Sequence, residues 1–111
     1  MPIILSPEIM ETESTREGWT KTTLADQKTI GTSAIAAQRW SFEPVAFGPE
    51  QKHGDTEQLL YVISGGGTVR VNGESLPLEK ETLLWLERDD IYQFVAGENG
   101  LEILQGYAPG E

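Results

Sequence analysis

Cysteine is absent from the 111 residues, so neither a disulfide framework nor a thiolate metal site can form. That absence leads us to expect a cytoplasmic protein. Histidine occurs once, as His53, which leaves any imidazole-based metal site short of donors. No apolar run approaches the roughly 20 residues that a membrane-spanning helix needs. The opening stretch "MPIILSPEIM" lacks the basic lead and long apolar segment of a signal peptide. Positive charge is scarce as well: 8 Lys and Arg stand against 18 Asp and Glu, for a net charge of −10. Such a surface repels polyanions, so neither nucleic acid nor an anionic membrane is expected as a partner. Small molecules and a second copy of the same chain remain.

What is present is enough apolar and aromatic residue for a real core: 38% apolar, with three each of Trp, Tyr and Phe. A chain of this length forms one domain. Residues 1–18 read as an N-terminal arm or edge strand, with Ile3 to Leu5 able to pair, and residues 19–111 as a single domain. From Trp19 onward short strand patterns alternate with turn residues: "WTKTTL", "SAIAAQRWSF", "EQLLYVIS", "GTVRVNG", "ESLPL", "TLLWL", "IYQFVA" and "LEILQGYA". Breaks are expected at "SGGG" and "GENG", and the Asn-Gly of "VNGE" predicts a tight hairpin. Many short strands at this spacing predict an all-β sandwich or small barrel.

Several of these strands are apolar on both faces. In "QLLYVI", Leu60 and Val62 point one way, and Leu59, Tyr61 and Ile63 the other. A one-sided antiparallel sheet carries polar residues on its wet face, so the outer face here needs cover. A second sheet, the N-terminal arm or a partner subunit would supply it, and a homodimer is expected.

The stretch "FEPVAFGPEQKHGDTEQLLYVISG" resembles the first motif of the cupin superfamily. Phe42, Pro44, Ala46, Pro49, His53, Glu57, Gln58 and Gly65 fall at matching places without a gap. Val45 and Gln51 stand where that motif carries glycine and its first histidine, and Gln58 stands for a glutamate, as in cupins of the E-Q type. The second motif keeps only its strand pattern: Glu81, Glu87, Asp89, Tyr92 and Ala96 replace Gly, Pro, Gly, His and Asn. The resemblance, from about Trp40 to Leu104, implies a cupin-type double-stranded β-helix, a small barrel of antiparallel strands with its site inside. Cupins host many activities, so the fold alone assigns none.

Carried onto this chain, the resemblance gathers Gln51, His53, Gln58 and Tyr92 inside the barrel. These four are also the candidate metal ligands. One imidazole, two neutral amides and a phenol with an ordinary pKa near 10 make a poor set for a divalent transition ion. No cofactor is therefore the expectation, with a transition metal as the alternative. Trp40, Phe47, Trp85, Phe94 and Tyr107 are the aromatics for a surrounding pocket, and Trp40, Phe47, Trp85 and Phe94 join Gln51 and Gln58 as candidate ligand-binding residues. His53 and Tyr92 form the candidate catalytic pair, base and acid, for metal-independent isomerase, epimerase or cyclase chemistry. A barrel that binds or senses a small molecule without chemistry is the alternative. An oxygenase-type metal enzyme with altered ligands is the second alternative.

Overall fold

Strand alternation governs almost the whole chain in the computed structural model, which describes residues 3–52 and 54–109. A short 3-10 turn at Pro7–Ile9 precedes strand β1 (Thr12–Ser14), which pairs antiparallel with β2 (Trp19–Ala25). Ile3 to Leu5 join no strand; the edge is formed instead by Thr12 to Ser14, where Thr12 and Thr22 hydroxyls meet at 3.0 Å. One helical turn, α1 (Gln27–Ile30), is held by Asp26 and Thr29, which satisfy each other's backbone N–H groups as a capping box. The remaining strands are β3 (Ala36–Phe42), β4 (Gln51–Lys52), β5 (Glu57–Val71), β6 (Glu74–Leu78), β7 (Leu83–Leu86) and β8 (Ile91–Ala108). Their order is β1-β2-β3-β8-β5-β6, with β4 also on β8 and β7 also on β5.

The breaks expected at "SGGG" and "GENG" do not end strands. β5 and β8 run straight through them, and their mutual register slips there, between Val62 and Ser64 and again between Gly65 and Gly67. Glycine makes this possible. A Cβ on Gly65, whose φ is +74°, would collide with the carbonyl oxygen of Gly100, and one on Gly67 with that of Val95. The two longest strands thus bend together, and each serves both walls of the barrel. By contrast, Asn72 and Gly73 form the expected hairpin, with φ of 50° and 86° between paired Val71 and Glu74.

Inward parity packs Trp19, Trp40, Phe42, Leu60, Val62, Val69, Leu86, Phe94, Leu101 and Ile103 into one core. Trp40 stacks on Phe42 with ring centres 5.7 Å apart, and Phe94 meets both edge-on at 5.8 and 5.7 Å. Such pairs add about 0.5–1.5 kcal/mol beyond the area they bury. Outward parity leaves Leu59, Tyr61, Leu83, Trp85 and Leu104 exposed on adjacent strands. The N-terminal arm does not cover them, since its Pro7, Met10 and Thr12 lie by Thr20, Thr22 and Arg39 on the outside of β2 and β3. Among the described residues no helix is long and apolar enough to cross a membrane.

Candidate functional site

A buried cluster of neutral polar side chains interrupts the aromatic core. Gln38 enters from β3, Gln58 from β5, and Tyr92 and Gln105 from the two halves of β8. All four are on inward-facing positions of their strands and are almost fully buried. Burying an amide without partners costs several kcal/mol in an apolar setting. Here the cost is met by mutual bonding. Gln38 Nε2 donates to Gln105 Oε1 at 2.6 Å, and Trp40 Nε1 donates to the same oxygen at 2.7 Å. Gln105 Nε2 in turn donates to Gln58 Oε1 at 2.5 Å and to the Tyr92 hydroxyl at 2.8 Å. Gln58 Nε2 donates to Thr56 Oγ1 at 2.7 Å. Among the described residues no buried side-chain nitrogen or oxygen lacks a partner.

Gln105 is therefore the hub, with two bonds accepted and two donated. The bond to Tyr92 crosses the barrel, tying the first half of β8 to the second. Burial pushes the Tyr92 phenol above its ordinary pKa, against the opposing hydrogen bond from Gln105. The phenol stays protonated across the neutral range.

The structure brings some of the anticipated residues together and separates others. Gln58 and Tyr92 belong to the cluster, and Trp40 and Phe94 wall it. Gln51 pairs with Tyr92 across β4 and β8, but its amide is only part-buried and, among the described residues, donates only to the Glu50 carbonyl at 3.4 Å. His53 lies outside the described residues. Trp85 and Phe47 do not line the barrel: each is 55% exposed. On β7, Leu84 and Leu86 take the inward parity and turn Trp85 out beside Leu59. Phe47 forms an isolated bridge to Val95 instead of continuing a strand. Tyr107 sits at the boundary, nearly buried yet lining an outer groove with Ile35, Leu59 and Trp85.

Gln38 and Gln105 were not anticipated from the sequence. Their signal was nonetheless present. Gln38 takes the parity of Ala36, Trp40 and Phe42, and Gln105 that of Leu101, Ile103 and Tyr107, so each is a lone amide on an otherwise apolar face. They are direct register partners.

Gln58 and Tyr92, two members of the proposed ligand set, do not fit a transition metal. The Gln58 oxygen is engaged by Gln105, and the Tyr92 hydroxyl accepts a hydrogen bond and is driven away from phenolate, the form that would ligate. Both are held by hydrogen bonds from the Gln105 amide. Among the described residues no three His, Cys, Asp or Glu side chains come together as a metal group.

Residues 33–111 match the family described as AraC-like ligand binding domain. Solved structures with the same architecture include KdgF from Halomonas sp., at 19% identity and TM-score 0.78, covering 100% of this chain and 96% of that one. An RmlC-like cupin from Shewanella frigidimarina aligns at 18% identity and TM-score 0.79, covering 100% and 94%. A Streptomyces PAC13 variant solved with uridine aligns at 20% identity and TM-score 0.78, covering 98% and 83%. No curated protein matches the chain. At these identities the likeness is one of fold: a cupin double-stranded β-helix.

Proposed function

Since the chain belongs to the AraC-like ligand binding domain family, within the cupin superfamily, we propose that it binds a small molecule in its barrel through neutral hydrogen-bonding groups and without a resident metal. The observation that carries this reading is the self-satisfied cluster of Gln38, Gln58, Gln105 and Tyr92. An apolar set of the same shape would serve stability about as well, so the amides and phenol are better explained by what they offer a ligand. Gln51, His53, Gln58 and Tyr92 are the proposed contacts, with Trp40 and Phe94 as the apolar wall. The test is a titration followed by NMR with a panel of sugar acids, sugars and nucleosides, uridine included. Binding should shift the Gln51, Gln58 and Tyr92 side-chain signals and survive a chelator. A panel that moves none of them, or a chelator that abolishes binding, would refute the proposal.

Acid–base catalysis by His53 and Tyr92 stands second. The protonated state of Tyr92 favours it, because an acid must arrive carrying its proton. Yet a general acid works best with a pKa near the working pH, and burial moves Tyr92 the other way. That direction suits a fixed hydrogen-bond donor better than a proton source, which ranks binding first. Undiminished turnover of a substrate by His53→Ala would remove the catalytic reading.

The partner we propose is a second copy of the chain, seated on the outer face formed by Leu59, Tyr61, Leu83, Trp85 and Leu104. Charge supports self-association there. Beside that face Arg88 pairs with Asp55 at 3.1 Å and Glu57 at 3.8 Å, and Arg39 pairs with Glu102 at 2.6 Å. On a chain of net charge −10, two copies meet with less repulsion where the contact is apolar and neighbouring charges are paired. Sedimentation of the intact protein should show a dimer. A monomer at tens of micromolar would contradict it.

A further inference from the structure

Resting on the reading of Tyr92 as a ligand contact, we propose that Trp40 is a positioning residue which, through Gln105, fixes the Tyr92 hydroxyl as a hydrogen-bond donor toward the group it faces.

The two ends of a glutamine amide have nearly the same shape, so packing alone does not choose between them. Chemistry does. An indole N–H donates and has no acceptor. The end of Gln105 that lies 2.7 Å from Trp40 Nε1 must therefore be the oxygen. Every other direction follows. Gln38 must present its NH2 to that oxygen, at 2.6 Å. The Gln105 NH2 then faces Gln58 and Tyr92, so both must accept, at 2.5 and 2.8 Å. Gln58, having given its oxygen, turns its NH2 to Thr56. Gln38 cannot set this sense alone, since its own amide can turn together with that of Gln105. Only the indole is one-way.

A phenol that accepts in this manner directs its own proton to the other side. Had the amide been reversed, Tyr92 would have given its proton to Gln105 and offered a lone pair instead. The consequence for recognition is specific. The group that Tyr92 meets is an acceptor, such as a carbonyl or carboxylate oxygen of a ligand, and not an amine or an N–H. Trp40 is itself fully buried, so its influence passes through Gln105.

The experiment uses the ligand-free full chain and the Raman Fermi doublet of tyrosine. Its intensity ratio separates a phenol that only donates from one that also accepts. Subtracting the Tyr92→Phe spectrum isolates the Tyr92 signal. Wild-type Tyr92 should read as accepting. Trp40→Phe, which removes the indole N–H and keeps an aromatic ring, should shift the ratio toward donor-only as Gln105 becomes free to turn. Gln105→Glu, whose carboxylate only accepts, should complete that shift. Gln38→Leu should leave the ratio in place, because the indole still holds the Gln105 oxygen. A donor-only wild-type signal would overturn the proposal. So would an unmoved ratio in Trp40→Phe, or equal shifts in Trp40→Phe and Gln38→Leu, which would mark a packing effect. If Trp40→Phe does not fold, the wild-type ratio and Gln105→Glu decide. None of these readings involves a ligand, so a failure to find small-molecule binding is a separate result.

Discussion

Gly65 and Gly100 lie back to back where β5 and β8 bend from one wall of the barrel to the other, with no room for a side chain between them. Both have positive φ, 74° and 75°. Bend and contact depend on each other, because a Cβ on Gly65 strikes the Gly100 carbonyl just where the register slips.

Gly65→Ala should therefore be among the more damaging small substitutions. The left-handed conformation alone costs about 1–2 kcal/mol for a residue with a Cβ, and the collision adds to it. Gly73→Ala, at similar φ but with open space around it, should cost only the conformational part. Urea denaturation of the two variants checks the difference.

Removing the hub should cost more than removing a spoke. Gln105→Leu leaves Trp40 Nε1, Gln38, Gln58 and Tyr92 each short of one bond. With about 1–3 kcal/mol for each buried group left unpaired, the loss should exceed that of Gln38→Leu. Since the two amides share a bond, the double variant should lose less than the sum of the single ones, which a double-mutant cycle in urea measures.

Tyr92 should make the fold sensitive to alkali. Burial raises its pKa in the folded state, while the unfolded phenol titrates near 10. Below that value both states are protonated and the group is neutral to stability. Above it the unfolded chain loses the proton first, so stability falls as pH rises, at up to about 1.4 kcal/mol per pH unit while the folded phenol stays protonated. Tyr92→Phe should flatten this part of the curve, as read by denaturation between pH 9 and 11, a range of about one unit on either side of the unfolded value.

The outer face should set the oligomeric state. Trp85→Glu and Leu83→Glu place carboxylates in its apolar centre, on side chains that make no part of the core. Each should give a monomer in sedimentation with its unfolding midpoint as a monomer little changed. A dimer that persists in both would place the contact elsewhere.

Much of this was legible from local pattern. Period-two alternation sorted Leu60 and Val62 from Leu59 and Tyr61, the Asn-Gly dipeptide located the hairpin at Asn72 and Gly73, and the barrel followed from the resemblance of the first motif to cupins. Alternation is a property of a few neighbouring residues, so it survives without knowledge of the fold. The glycine stretches misled because glycine breaks a strand in isolation yet permits close backbone approach when another strand lies against it. For Trp85 and Phe47 the sequence offered aromatic character, but β7 parity and an isolated bridge at Phe47 turned them outward.

Composition and spacing alone determined an acidic all-β chain with one histidine and no cysteine. Only the tertiary structure decided that Gln105, 13 positions beyond Tyr92 on the same strand, would fold back to meet it, and that Trp40 would hold the far end of that amide. Those contacts depend on which strands pair and where β5 and β8 bend. They are set by long-range register, on which a short window of sequence carries no information.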